Sequence, residues 1–120
     1  MKSLTFFSFF LFCVSLAFGK VIHVLTGQPT IQAGIDAAAK GDTVPVEDGV
    51  YFENINFSGK AITVASYFLM DGDKAHIDNT VIDGSRPANP DLGSVVSFVS
   101  GETSTSVLCG FTITGGRWPG

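Results

Sequence analysis

The chain has 120 residues, with seven basic and eleven acidic side chains and two cysteines. Its length excludes a multidomain or polytopic membrane protein, and its net charge of −4 excludes a nucleic-acid partner held on a basic surface. Cys13 lies in the leading apolar stretch, which leaves Cys109 alone and excludes a disulfide scaffold.

Met1 and Lys2 precede an uncharged stretch, residues 3–18, that holds six of the eleven phenylalanines. Ala17-Phe18-Gly19 then presents small residues for a peptidase. The apolar run Leu4–Phe18 is 15 residues long, short of the roughly 20 that a helix needs to span a bilayer. The expected organisation is a signal peptide over residues 1–19 and one domain over residues 20–120, with an uncleaved anchor as the alternative. After cleavage the domain is more acidic still, and no membrane span remains. The expected location is secreted, extracellular or at the cell surface, or in the periplasm.

In the domain, Val21-Ile22-His23-Val24-Leu25 reads as a first strand. Thr30 then caps a helix expected over Ile31–Lys40, where Ile31, Ile35, Ala38 and Ala39 form one apolar stripe. Gly41 is placed as a left-handed stop. Beyond it the period drops to two in Thr43–Val46, Ile55–Phe57, Ile62–Val64, Thr80–Ile82, Val96–Phe98 and Phe111–Thr114, separated by Gly, Asp, Asn and Ser. No second helix is indicated. Val44, Val64, Val81 and Val96 recur at 20, 17 and 15 residues, and nine of the 21 residues from Ser94 to Thr114 are Ser or Thr. Short strands with small turn residues fit a winding chain that stacks parallel strands on an apolar interior. The alternative is an antiparallel sandwich.

Thr30-Ile31-Gln32-Ala33-Gly34-Ile35-Asp36-Ala37-Ala38, Gly41-Asp42-Thr43-Val44, Asp48-Gly49-Val50-Tyr51 and Glu53-Asn54-Ile55 open a pattern. Gly59–Val64, Thr80–Gly84 and Leu108–Gly116 continue it. Together they resemble the N-terminal coils of the pectin-lyase-like superfamily. The resemblance implies an all-β fold, a right-handed parallel β-helix (solenoid) with a short N-terminal capping helix, incomplete at its C-terminus. It is unspecific for activity, because the superfamily includes pectate lyases, pectin methylesterases, polygalacturonases and bacterial surface proteins. Pro45 departs from the pattern, which usually has an aliphatic residue there. Within a strand, proline belongs at an edge, so Pro45 is expected to face outward, its nitrogen aimed at an open flank of Thr43–Val46. The other flank is expected to pair with Ile62–Val64.

Asp71, Asp73 and Asp78 crowd one loop with His76 and are the candidate calcium ligands. The EF-hand pattern fails there, since His76 stands where its glycine belongs and Ile82 where its closing glutamate belongs, so a solvated loop is the plainer reading. Glu47-Asp48 reads as a turn, His23 as a structural histidine and Cys109 as a small buried side chain. Asn56-Phe57-Ser58 matches a glycosylation sequon inside an expected strand. No Ser-His-Asp, phosphate-loop or metal-ligand spacing is present, and the catalytic motifs of the resembled enzymes are missing. No catalytic residue and no cofactor beyond calcium is therefore named.

The end of the sequence, Gly115-Gly116-Arg117-Trp118-Pro119-Gly120, offers no closing strand, and the sequence reads as a fragment of a longer chain. Two functions are expected from it: a secreted carbohydrate-binding or adhesive module with polysaccharide as partner, or the leading part of a polysaccharide-active enzyme whose catalytic coils lie beyond residue 120.

Overall fold

The structure, a computed structural model, describes residues 19–25 and 27–117. The signal-peptide reading falls on residues outside that range, apart from Gly19. One seven-residue helix, α1 (Ile31–Ala37), leads into eight short strands. These are β1 (Thr43–Val46), β2 (Gly49–Phe52), β3 (Ile55–Asn56), β4 (Thr63–Ser66), β5 (Thr80–Asp83), β6 (Val96–Ser97), β7 (Val107–Cys109) and β8 (Thr112–Thr114). Two further helices, α2 (Phe68–Asp71) and α3 (Ala75–Asn79), separate β4 from β5.

The strands form three small parallel sheets in the orders β1-β4-β7, β2-β5-β8 and β3-β6. Register places Val44 beside Val64 and Val64 beside Leu108 in the first sheet. Tyr51, Ile82 and Ile113 align in the second, and Ile55 faces Val96 in the third. Burial declines along these rows. Val44 and Val64 are fully buried and Leu108 partly so, while Ile82 is buried and Ile113 is 45% exposed. The core is therefore centred where α1 and the first strands meet: Val24, Ile31, Ile35, Val44, Val46, Ile55 and Phe57.

The expected all-β right-handed parallel β-helix is corrected by this arrangement. The described residues form three small sheets of short parallel strands with three short helices, and no solenoid is evident. The valine repeat that motivated the expectation does not hold. Val44 and Val64 are partners, but Val81 pairs with Val50 and Thr112 in another sheet, and Val96 pairs with Ile55. Strands of the first sheet follow one another after 20 residues and then 44, because helices and long loops intervene. The antiparallel sandwich is corrected too, since every strand pair among the described residues is parallel.

Helix α1 ends at Ala37, three residues before the expected Lys40. Thr30 accepts a hydrogen bond from the Ala33 N–H at 3.0 Å, as its capping role requires. Ala38 has already turned to extended backbone, and Gly41 takes its left-handed conformation beyond the helix. Both ends of α1 are held by charged side chains. The Glu53 carboxylate accepts from the N–H groups of Ile31 and Gln32 at 2.9 and 3.0 Å. Lys60 Nζ donates to the carbonyls of Ile35, Asp36 and Ala38 at 2.7–2.9 Å. These groups lie at the two ends where a helix is short of internal partners, although the Ile35 carbonyl also accepts the Ala38 N–H, and the signs of the charges suit the helix dipole. Gln32 also works across elements: its amide donates to the Asn56 carbonyl at 3.0 Å and accepts the Asn56 N–H at 2.8 Å, as a neighbouring strand would.

Strand β1 corrects the expected open edge. It pairs with β4 as anticipated, but the segment from Lys20 to Val24 covers its other flank. Thr43 donates to the Lys20 carbonyl at 2.8 Å, and Ile22 and Val24 donate to the carbonyls of Thr43 and Pro45 at 2.9 Å. Backbone groups alternate between neighbours along a strand, so Pro45 turns its nitrogen to this covered flank. Its ring is buried rather than outward-facing. The chain preceding α1 runs back alongside β1, which the local pattern at Pro45 does not encode.

Candidate functional site

The acidic loop is organised by two short helices and a histidine. Helix α2 ends at Gly72, whose φ of 72° allows the left-handed stop, and its N–H returns to the Phe68 carbonyl at 2.8 Å. Asp71 then accepts from the Asp73 N–H at 2.8 Å and Asp73 from the Ala75 N–H at 2.9 Å. Asp78 lies in α3. Among the described residues no three His, Cys, Asp or Glu side chains are gathered where they could hold a metal ion. The candidate ligands Asp71, Asp73 and Asp78 are thus neighbours in sequence that the fold does not converge on one point, and two of them are engaged by backbone donors.

His76 lies between Asp71 and Asp48. Its Nδ1 is 2.6 Å from Asp48 Oδ1 and its Nε2 is 2.8 Å from Asp71 Oδ2. A carboxylate can only accept, so both contacts are satisfied together when the ring is protonated, and the pair of aspartates favours the imidazolium. The hydrogen bond to Asp48, then that to Asp71, raises the His76 pKa above its ordinary value. The Asp73 N–H, followed by His76, lowers that of Asp71. Thr80 Oγ1 adds a donor to Asp48 at 3.3 Å, and the Tyr67 ring stands edge-on to His76 at 6.1 Å. Glu47-Asp48 is therefore more than a turn, because Asp48 ties the β1–β2 connection to α3. Both ring nitrogens are engaged by carboxylates. The cluster fastens two helices that bury none of their residues. His23 sits 3.4 Å from the Tyr67 hydroxyl, in keeping with a structural role.

A second arrangement lies on the opposite kind of surface, an open cleft of about 610 Å³. Phe52, Asn54 and Asn56 line it from the end of β2 through β3, Ser97 from β6, and Arg86 and Leu92 from the loop between β5 and β6. Asn54 positions that loop, donating its amide to the carbonyls of Gly84 at 3.0 Å and Ser94 at 3.1 Å. Arg86 then lies over the Phe52 ring, its guanidinium carbon 3.8 Å from the ring centre. Stacking on an aromatic face uses the plane of a guanidinium and leaves its N–H edge for acceptors. Phe52 is 46% exposed and Leu92 is exposed beside it. Glu53 also borders the cleft, but its two oxygens are occupied by the first amides of α1. The result is an apolar floor with a cationic edge and several amide and hydroxyl groups, a composition suited to a polar ligand with one apolar face.

No family model, curated protein or solved structure matches this chain. Nothing in the sequence pattern singles out Phe52, Asn54 or Arg86. They meet only because Asn54 reaches 30 and 40 residues along the chain. Among the described residues, no helix is long and apolar enough to cross a membrane.

Proposed function

We propose that this chain is a secreted or cell-surface module that binds carbohydrate in the cleft beside Arg86. The observation that carries the reading is the Arg86–Phe52 stack, bordered by Asn54, Asn56 and Ser97. A sugar ring has an apolar C–H face and a rim of hydroxyls. Leu92 and the part of Phe52 left exposed beside Arg86 suit the first, and the guanidinium edge and amides suit the second. The resemblance to the pectin-lyase-like superfamily enters this proposal only as a hint of polysaccharide as ligand class, and no fold is taken from it.

Calorimetric titration with neutral and uronate oligosaccharides tests the reading. Arg86→Ala should weaken binding by about tenfold or more, which corresponds to ~1.4 kcal/mol, while leaving the thermal melt in place. If no oligosaccharide of either kind binds the unmodified protein, the reading fails.

A further inference from the structure

Asp42 is a carboxylate in a place that suits a charge only if a partner is close. It is 4% exposed, next to β1 and beneath the segment that covers the flank of that strand. Oδ2 accepts from the Ala39 N–H at 2.8 Å, and Oδ1 accepts from the backbone nitrogen of Lys20 at 2.7 Å. The Lys20 ammonium is 3.9 Å away on a side chain that is 66% exposed, so water competes for it. Burial opposes the charge on Asp42, but the two peptide N–H donors, with the Lys20 and Lys60 ammoniums, outweigh burial and hold its pKa below the ordinary carboxylate value, so the site keeps an anion facing the Lys20 nitrogen. Lys20 is also the residue at which the sequence expects the cleaved chain to begin.

We propose that cleavage after Gly19 converts the Lys20 backbone nitrogen into an α-ammonium that forms an ion pair with buried Asp42 and locks the new N-terminus along β1. The proposal rests on the cleavage reading and is independent of the carbohydrate reading. In the hydrolysis, water adds across the Gly19–Lys20 peptide and the C–N bond breaks. The hydroxyl goes to the Gly19 carbonyl carbon, which ends as a carboxylate, and the released amine takes the protons and becomes an ammonium. The nitrogen need not travel. The Lys20 carbonyl is already fixed by the Thr43 N–H at 2.8 Å, and the next ladder bond, from Ile22 to Thr43, holds the segment in line. The same atom that donates one proton as a peptide then donates with a full positive charge, at a distance suited to a charge-assisted hydrogen bond. The cleavage product would thus be held by a contact that the uncleaved chain makes only through a neutral peptide group.

Two readouts on the secreted protein separate the steps. N-terminal sequencing should read Lys-Val-Ile-His, and any other start overturns the cleavage step and the proposal with it. The α-amino group, labelled by ¹³C reductive dimethylation, should then titrate at least about one unit above the ordinary range of ~7.7–8.0, a tenfold smaller neutral fraction at a given pH. Asp42→Asn should return it to that range. An α-amino group titrating in the ordinary range in the unmodified protein overturns the ion pair even if the chain begins at Lys20. That measurement stands whether or not the Asp42→Asn chain folds. An elevated titration that persists unchanged in a folded Asp42→Asn protein also overturns it.

Discussion

Glu53 and Lys60 grip opposite ends of the same seven-residue helix, the carboxylate on its first amides and the ammonium on its last carbonyls. An isolated helix of this length is not stable in water, so its existence depends on docking and on such end contacts. Lys60→Met keeps the stem but removes three donors from carbonyls that are then left without a charged partner. It should destabilise the protein by about 1–3 kcal/mol in chemical denaturation. A loss within the scatter of ordinary surface substitutions would mean that water satisfies those carbonyls equally well.

Gly34 separates local preference from packing. Helix propensity alone favours Gly34→Ala by about 1 kcal/mol. A β-carbon there would stand 2.8 Å from Val44 Cγ1 and 2.9 Å from Val24 Cγ2, both on buried valines. Overpacking of a filled core typically costs 1–3 kcal/mol, so the packing effect should win and the melting temperature should fall. A melting temperature that rises would show that α1 is free to shift away from β1.

The features legible in sequence are local ones. Thr30 as cap, Ile31 and Ile35 as the buried stripe and the existence of a strand at Thr43–Val46 could all be read within a few residues, though not the burial of Pro45. Helices α2 and α3 escape that reading because four or five residues scarcely complete one helical turn, too few to display a period. Strand β2 escapes because Gly49-Val50-Tyr51-Phe52 carries no polar residue to alternate. The valine spacing misled for a different reason: it linked strands that belong to three different sheets. The sequence places Asp71 near His76 but not Asp48, and it does not show the cleft, because Asp48 lies 28 residues from His76 and Asn54 40 from Ser94.

The His76 cluster should give stability a pH profile with two limits. The His76 pKa is raised, so its contribution is fully present below the ordinary value of 6.5 and is lost as pH rises through the folded-state value. That of Asp71 is lowered, so its contribution is present above 3.8 and is lost as pH falls through its folded-state value. Hydrogen exchange at Ile77 and Asp78, corrected for its intrinsic pH dependence, should show greatest protection between those limits. His76→Gln should flatten the alkaline side of the profile. Unchanged pH dependence in His76→Gln would assign the effect to another group.

The central claim is that a carbohydrate occupies the cleft at the Arg86–Phe52 stack. The most direct measurement is an ¹H–¹⁵N spectrum, including the arginine side-chain Nε–H signals, recorded during titration with neutral and uronate oligosaccharides. The account predicts saturable movement of the Arg86 Nε–H signal and of the Asn54 side-chain amide, with the amides of Ile77 and Asp78 still. Signals at the cleft that stay fixed across the whole panel, or movement confined to residues away from it, would contradict the account.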